Sequence, residues 1–124
     1  MARVLVVDDH EDTVAITVEL LRSMGHEAKG CYSGREALAL VGEFNPDCVL
    51  MDIGMPNGSG WETAQEIRLR FPGKRPMLIA ITGEYKGPAD LMLSKMNGFD
   101  HYVLKPAHID ALAPLIERAE SQGR

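Results

Sequence analysis

Apolar and polar positions fall into blocks along this chain. Val4-Leu5-Val6-Val7 is a continuous apolar run, as a strand covered on both faces requires, and Asp8-Asp9 ends it. A helical rhythm follows over positions 12–24, and Gly25 stops it. Thr13, Ile16, Thr17, Leu20 and Met24 recur at i, i+3, i+4, i+7 and i+11, which predicts the buried face of the first helix. Val14 and Val18 lie off that stripe, one turn apart, and are expected at the surface.

The alternation repeats four more times. Residues 27–32 form a weaker strand, and Ser33-Gly34-Arg35-Glu36 is a capping box opening a helix through Glu43. After the turn Asn45-Pro46-Asp47, the run Cys48-Val49-Leu50-Met51 is a third buried strand, ended by Asp52. A loop with Gly54, Pro56, Asn57 and Gly58 leads to a second capping box, Ser59 with Glu62, and a helix to about Arg70. Met77 to Ile81 is the fourth strand, ended by Thr82. Pro88 suits the first turn of a helix running to Asn97, with Gly98 as its stop. Asp100 to Leu104 is the fifth strand, ended by Lys105. The last helix spans Ile109 to Glu120, and Pro114 inside it predicts a distorted first turn or a late start. Five such units imply an α/β fold with a parallel sheet and helices on both faces. Right-handed crossovers prune the topologies to a few, and among these the flavodoxin-like strand order 2-1-3-4-5 is the expected one.

Length and charge narrow the function classes. The chain has 124 residues, one domain's worth, so residues 1–124 are read as a single domain with no effector module. Its 13 Lys+Arg against 18 Asp+Glu give a net charge of -5, and no basic stripe suits direct nucleic-acid binding. No apolar run approaches the roughly 18 residues of a membrane span. The N-terminus runs straight into a strand pattern, without a signal-peptide layout. Cys31 and Cys48 sit in apolar surroundings and read as buried free thiols of a reducing cytoplasm.

The residues that end the strands carry the chemistry. Asp8, Asp9, Asp52, Thr82 and Lys105 all stand at carboxyl ends, which line one crevice in an open α/β sheet. Three carboxylates there repel one another unless something neutralises them. A hard divalent cation does so with oxygen ligands, and Mg²⁺ combines a few carboxylates with water and a phosphate. The ammonium and hydroxyl are then donors to a phosphoryl group. The set fits metal-assisted phosphoryl transfer onto a carboxylate.

On these residues the chain resembles the receiver domain of bacterial two-component response regulators, over essentially its whole length. The resemblance is carried by Val-Asp-Asp at 7–9, Met-Asp-Ile-Gly-Met-Pro at 51–56, Ile-Thr-Gly at 81–83 and Tyr-Val-Leu-Lys-Pro at 102–106. Ser-Gly-Arg-Glu-Ala-Leu at 33–38, Pro-Asp at 46–47 and Gly-Phe-Asp at 98–100 support it. It implies that Asp52 accepts a phosphoryl group from a phosphohistidine of a histidine kinase or histidine phosphotransfer protein. It implies that Asp9, Asp52 and the Gly54 backbone carbonyl hold Mg²⁺, or Mn²⁺, with Asp8 acting through a metal-bound water. Lys105 and Thr82 would contact phosphoryl oxygens, and Thr82 with Tyr102 would be the switch pair. The face of helix 4, strand 5 and helix 5 would report the state to a downstream protein. Such a domain is a switch and not a turnover enzyme. Val14 and Val18 would then help dock the phosphodonor's helical bundle.

Other features bear on this reading. The resemblance implies that the positions of Gly54 and Glu84 help set how fast water reaches the acyl phosphate; Gly54 would leave room for water, whereas Glu84 would obstruct or orient it. The run Gly83 to Pro88 is expected to be mobile. Ile-Thr-Gly with Gly-Phe-Asp is more similar to receivers attached to hybrid sensor kinases than to those of transcription factors. His10 follows the acidic pair, but oxygen ligands and phosphate favour Mg²⁺ over a transition metal. Trp61 is expected to be half-buried, and Met92 and Met96 to fill the core. An aspartyl-phosphate-type phosphatase on a related fold is the alternative. It wants a second acid two residues after its nucleophile, where this chain has Gly54. A flavodoxin-like cofactor binder would want a Ser/Thr/Gly-rich phosphate loop where Asp8-Asp9-His10-Glu11 stands.

Overall fold

The computed structural model describes residues 1–55, 60–74, 76–83, 88–105 and 109–122. Strands and helices alternate as β1 (Arg3–Val7), α1 (Glu11–Ser23), β2 (Glu27–Cys31), α2 (Gly34–Phe44), β3 (Cys48–Asp52), α3 (Gly60–Arg70), β4 (Met77–Thr82), α4 (Pro88–Met96), β5 (His101–Leu104) and α5 (Ile109–Gln122). The sheet is parallel, with order β2-β1-β3-β4-β5. This is the flavodoxin-like topology that the sequence predicts.

Both faces of the three central strands β1, β3 and β4 are buried, which is why these strands are almost continuously apolar. Val4, Val6, Cys48, Leu50, Met77 and Ile79 pack with Val14, Val18 and Leu21 of α1 and with Leu112, Ile116 and Ala119 of α5. Leu5, Val7, Val49, Met51, Leu78 and Ala80 point the other way, toward Ala37 and Val41 of α2 and Ala64 and Ile67 of α3. Arg68 ties α3 to the entry of β5. Its guanidinium donates to the Gly98 and Pro76 carbonyls and to Asp100 Oδ2, which also accepts from the Leu78 amide.

Two faces differ from expectation. Helix α1 buries Val14 and Val18, at 3% and 9% exposure, and turns out Ile16 and Leu20, at 60% and 47%. The stripe of Thr13, Ile16, Thr17, Leu20 and Met24 is therefore not the sheet-facing one, and Val14 and Val18 are not a surface patch. The cause lies on β2. A β-carbon at Gly30 would lie 2.2 Å from Val14 Cγ1 and 3.3 Å from Val18 Cγ2. Only a strand without a side chain there lets α1 seat its valines so deeply. In α4, Met92 and Met96 are exposed instead of filling the core, because Ser94 takes the inward position.

Local signals were closer. Ser33 Oγ accepts from the Glu36 amide at 3.2 Å, as a capping box requires. The Glu36 carboxylate reaches one residue further back, to the Tyr32 amide at 2.9 Å. Helix α5 starts at Ile109 and runs through Pro114, so the late start is not seen. Trp61 is half-buried and packs edge-on against Phe99, with ring centroids 5.8 Å apart. The Ser59 cap, the loop at Pro56 to Gly58 and Glu84 with its glycine-flanked run lie outside the described residues.

Candidate functional site

Main-chain bonds extend the sheet one step beyond its strands and set the site residues side by side. The Asp8 amide donates to the Cys31 carbonyl at 3.2 Å, the Ile53 amide to Ile81 at 3.1 Å and the Lys105 amide to Thr82 at 2.6 Å. Val7 is paired with Met51, and Thr82 with Leu104. Asp8 and Asp52 thus emerge from neighbouring strands, and Lys105 reaches over from the far edge.

One donor atom each from Asp8, Asp9, His10 and Asp52 lies within 4.8 Å of the others. Asp8, Asp52 and Thr82 are buried, while Asp9 and His10 face solvent. Lys105 Nζ lies 2.9 Å from Asp52 Oδ2 and 3.6 Å from Asp8 Oδ2. The other Asp52 oxygen, Oδ1, accepts the Gly54 amide at 2.8 Å. A β-carbon on Gly54 would come within 3.3 Å of that oxygen, so glycine leaves this carboxylate oxygen uncrowded. Tyr102 is partly buried against the α2/α3 side of the core.

Electrostatics follow from this crowding. Burial pushes the Asp8 carboxyl up, but the His10 amide, the His10 ring and the Lys105 ammonium outweigh it and hold Asp8 below the ordinary carboxylate range. Burial likewise pushes Lys105 down, and the Asp52 and Asp8 carboxylates together more than compensate, leaving its affinity for a proton raised. His10 is raised by its hydrogen bond to Asp8 and by the charge of Asp9. Three carboxylates and an imbedded ammonium are a donor set that fits a divalent cation and a phosphoryl group side by side.

The cluster brings together Asp8, Asp9, Asp52 and Lys105 as expected, with Thr82 ending the adjoining strand. It also includes the His10 ring, which sequence reasoning set aside. The available signal was its position directly after the acidic pair. A cavity of about 440 Å³ opens beside these residues, lined by Asp8, Asp52 and Lys105 and, deeper, by Val6, Leu50 and Leu112.

The response regulator receiver domain family matches residues 4–117. The CAI-1 autoinducer sensor kinase/phosphatase CqsS of Vibrio cholerae is 37% identical over 111 residues, which are 89% of this chain. The chain spans only 16% of that kinase's length. Among solved structures, the chemotaxis protein CheY4 of Vibrio cholerae superposes with a TM-score of 0.87 at 28% identity, covering 96% of this chain and 98% of that one. The response regulator TrrA of Thermotoga maritima, solved in complex with Mg²⁺-BeF, gives a TM-score of 0.82 at 34% identity, covering 96% of this chain and 99% of that one. With its strand order, its acidic pocket and this match along nearly all of its length, the chain belongs to the response regulator receiver domain family.

Proposed function

We propose that Asp52 is the phosphoacceptor of this receiver domain and that its phosphorylation is the switching event. The observation that carries the reading is the position of Asp52. Its buried carboxylate ends the central strand, with one oxygen on Lys105 and the acidic pair alongside.

In the transfer, an Asp52 oxygen forms a bond to phosphorus as the bond from phosphorus to the donor's histidine nitrogen breaks, and that nitrogen keeps the electron pair. Charge is only redistributed, so the protein's task is positioning and electrostatics. Asp9, Asp52 and the Gly54 carbonyl would hold Mg²⁺, with Asp8 orienting water around it, and the ion would neutralise charge on the phosphoryl oxygens. Lys105 and the Thr82 hydroxyl bind the remaining phosphoryl oxygens. Lys105 gives up its bond to Asp52 Oδ2 for that purpose. Thr82 moves toward the phosphoryl group, and Tyr102 turns inward with it, shifting the population between two conformers.

The partners are a histidine kinase or histidine phosphotransfer protein and a downstream protein. Exposed Ile16 and Leu20 on α1, not Val14 and Val18, supply apolar surface for the donor. Exposed Met92, Leu93, Met96 and Leu104 supply it on the face of α4, β5 and α5 for the downstream partner. Residues 1–124 act as a single receiver domain in the cytoplasm, as a switch and not as a turnover enzyme. Among the described residues, no helix is long and apolar enough to cross a membrane.

The test is incubation with acetyl phosphate and Mg²⁺, read by intact mass. A phosphate-sized gain that Asp52→Asn removes is expected. No gain, or a gain indifferent to that substitution, refutes the assignment.

A further inference from the structure

The side chain of His10 is placed in a way that carboxylate chemistry does not require. His10 is the N-cap of α1, with extended backbone (φ -90°, ψ 106°), yet its side chain makes no capping bond. Cap positions favour Ser, Thr, Asp or Asn, whose oxygens accept the helix's free amides. Here the ring turns back to the acids. Nδ1 lies 3.0 Å from Asp8 Oδ1 and 3.2 Å from Asp9 Oδ1. The His10 amide also donates to Asp8 Oδ1 at 3.0 Å, which pins the main chain that carries the ring.

The contact with Asp8 is a hydrogen bond, whereas the distance to Asp9, the proposed direct ligand, is also that of two neighbouring donors on one ion. In an octahedral shell with bonds of about 2.1 Å, adjacent donors stand about 3.0 Å apart, and opposite donors about 4.2 Å. The ring nitrogen meets the first figure with the Asp9 carboxylate, at 3.2 Å. The 4.8 Å span of the four donor atoms exceeds the second by little enough for a small closure around a cation.

We propose that His10 Nδ1 is a direct nitrogen ligand of the divalent ion in this site, and that it makes the site prefer Mn²⁺ and later first-row ions to Mg²⁺. The inference rests on the metal-site reading of Asp8, Asp9 and Asp52 above and extends it. Mg²⁺ parts with water reluctantly and gains little from an imidazole, whereas nitrogen donors strengthen binding from Mn²⁺ onward. A third side-chain ligand also replaces a water that an all-oxygen site would have to keep ordered.

The test uses the full chain with Mn²⁺ alone. Binding is followed by loss of the free-ion electron paramagnetic resonance signal, and ligation by pulsed detection of ¹⁴N coupling. Wild-type protein is expected to show coupling from a directly bound imidazole, absent in His10→Asn. That variant should bind Mn²⁺ about tenfold more weakly, while Mg²⁺ affinity, measured by competition, changes less than about twofold. His10 is exposed, so the variant keeps the fold, which circular dichroism checks. Bound Mn²⁺ without directly coupled nitrogen, or equal Mn²⁺ affinity in both proteins, overturns the role of His10 and leaves the carboxylate site standing. Failure of the wild-type chain to bind Mn²⁺ at all overturns both.

Discussion

Lys105 and Asp52 are 53 positions apart in the chain, yet the lysine ammonium sits 2.9 Å from the aspartate's Oδ2. The pair joins the proposed acceptor to the group proposed to receive its phosphoryl oxygens. Replacing Lys105 by Met should slow phosphorylation by acetyl phosphate at least tenfold, because a positioned charge is lost from the transition state. Without metal, the variant should also lose about 1 kcal/mol in urea unfolding, less than a fully buried pair would cost because the ammonium is partly exposed. An unchanged phosphorylation rate would show that Lys105 serves only the resting state.

Adding Mg²⁺ should stabilise the fold. Asp8, Asp9 and Asp52 face one another only in the native state, so the ion binds folded chain preferentially. At a hundredfold excess over Kd the linkage is about 2.7 kcal/mol, or roughly 10 °C in Tm for a chain of this size. Scanning calorimetry of wild type and Asp9→Asn checks this, and a Tm indifferent to Mg²⁺ in the wild type contradicts the metal site.

Gly30→Ala should destabilise the protein by about 1–3 kcal/mol, the usual cost of overpacking. The new methyl would meet Val14 Cγ1 at 2.2 Å. Combining it with Val14→Ala should recover much of the loss, which a double-mutant cycle by chemical denaturation reads directly. Simple additivity would mean that the helix has shifted away.

Ile16→Lys with Leu20→Lys should reduce phosphotransfer from the cognate donor and leave phosphorylation by acetyl phosphate intact. Both side chains are exposed, so the change in stability should stay within about 0.5 kcal/mol per site. Equal transfer rates in wild type and variant would remove this surface from the docking reading.

The two thiols should be silent in the native protein. Burial pushes Cys31 up to about 12 from 9.0, with the Glu36 charge adding to it, and burial raises Cys48 as well, with Asp47 and Asp100 adding. The unfolded chain ionises near pH 9 while the folded chain stays protonated, so it binds fewer protons above that pH. The thiols' contribution to stability is therefore complete below pH 9 and falls as the pH rises toward 12. Urea unfolding at pH 7.5 and pH 10 should show a larger drop for wild type than for a Cys31→Ala/Cys48→Ala variant. Ellman's reagent should label both thiols only after denaturation.

Much of the fold and site is legible in the residue order. An apolar run interrupted by Asp8, Asp52 or Thr82 marks both a buried strand and its carboxyl end, because polar groups cannot remain inside a two-faced sheet unpaired. Gly25 and Gly98, both at positive φ, stop their helices for a local steric reason that any reader of the chain can apply.

The faces of the helices were not legible in the same way. Helix α1 carries apolar residues on several sides, among them Val14, Ile16, Val18, Leu20 and Leu21, so its periodicity admits more than one stripe. The choice was made by Gly30, on another element, whose missing side chain lets Val14 and Val18 enter the core. The orientation of the His10 ring is a further case, since adjacency in sequence does not say whether a side chain caps a helix or turns to its neighbours. By itself, then, the sequence determined five βα units, their order and the polar residues at the strand ends, because those depend on local pattern and connection rules. Only the tertiary structure decided which helical faces are buried and that His10 joins the acids, because both depend on steric fit between elements distant along the chain or on the path of a single turn.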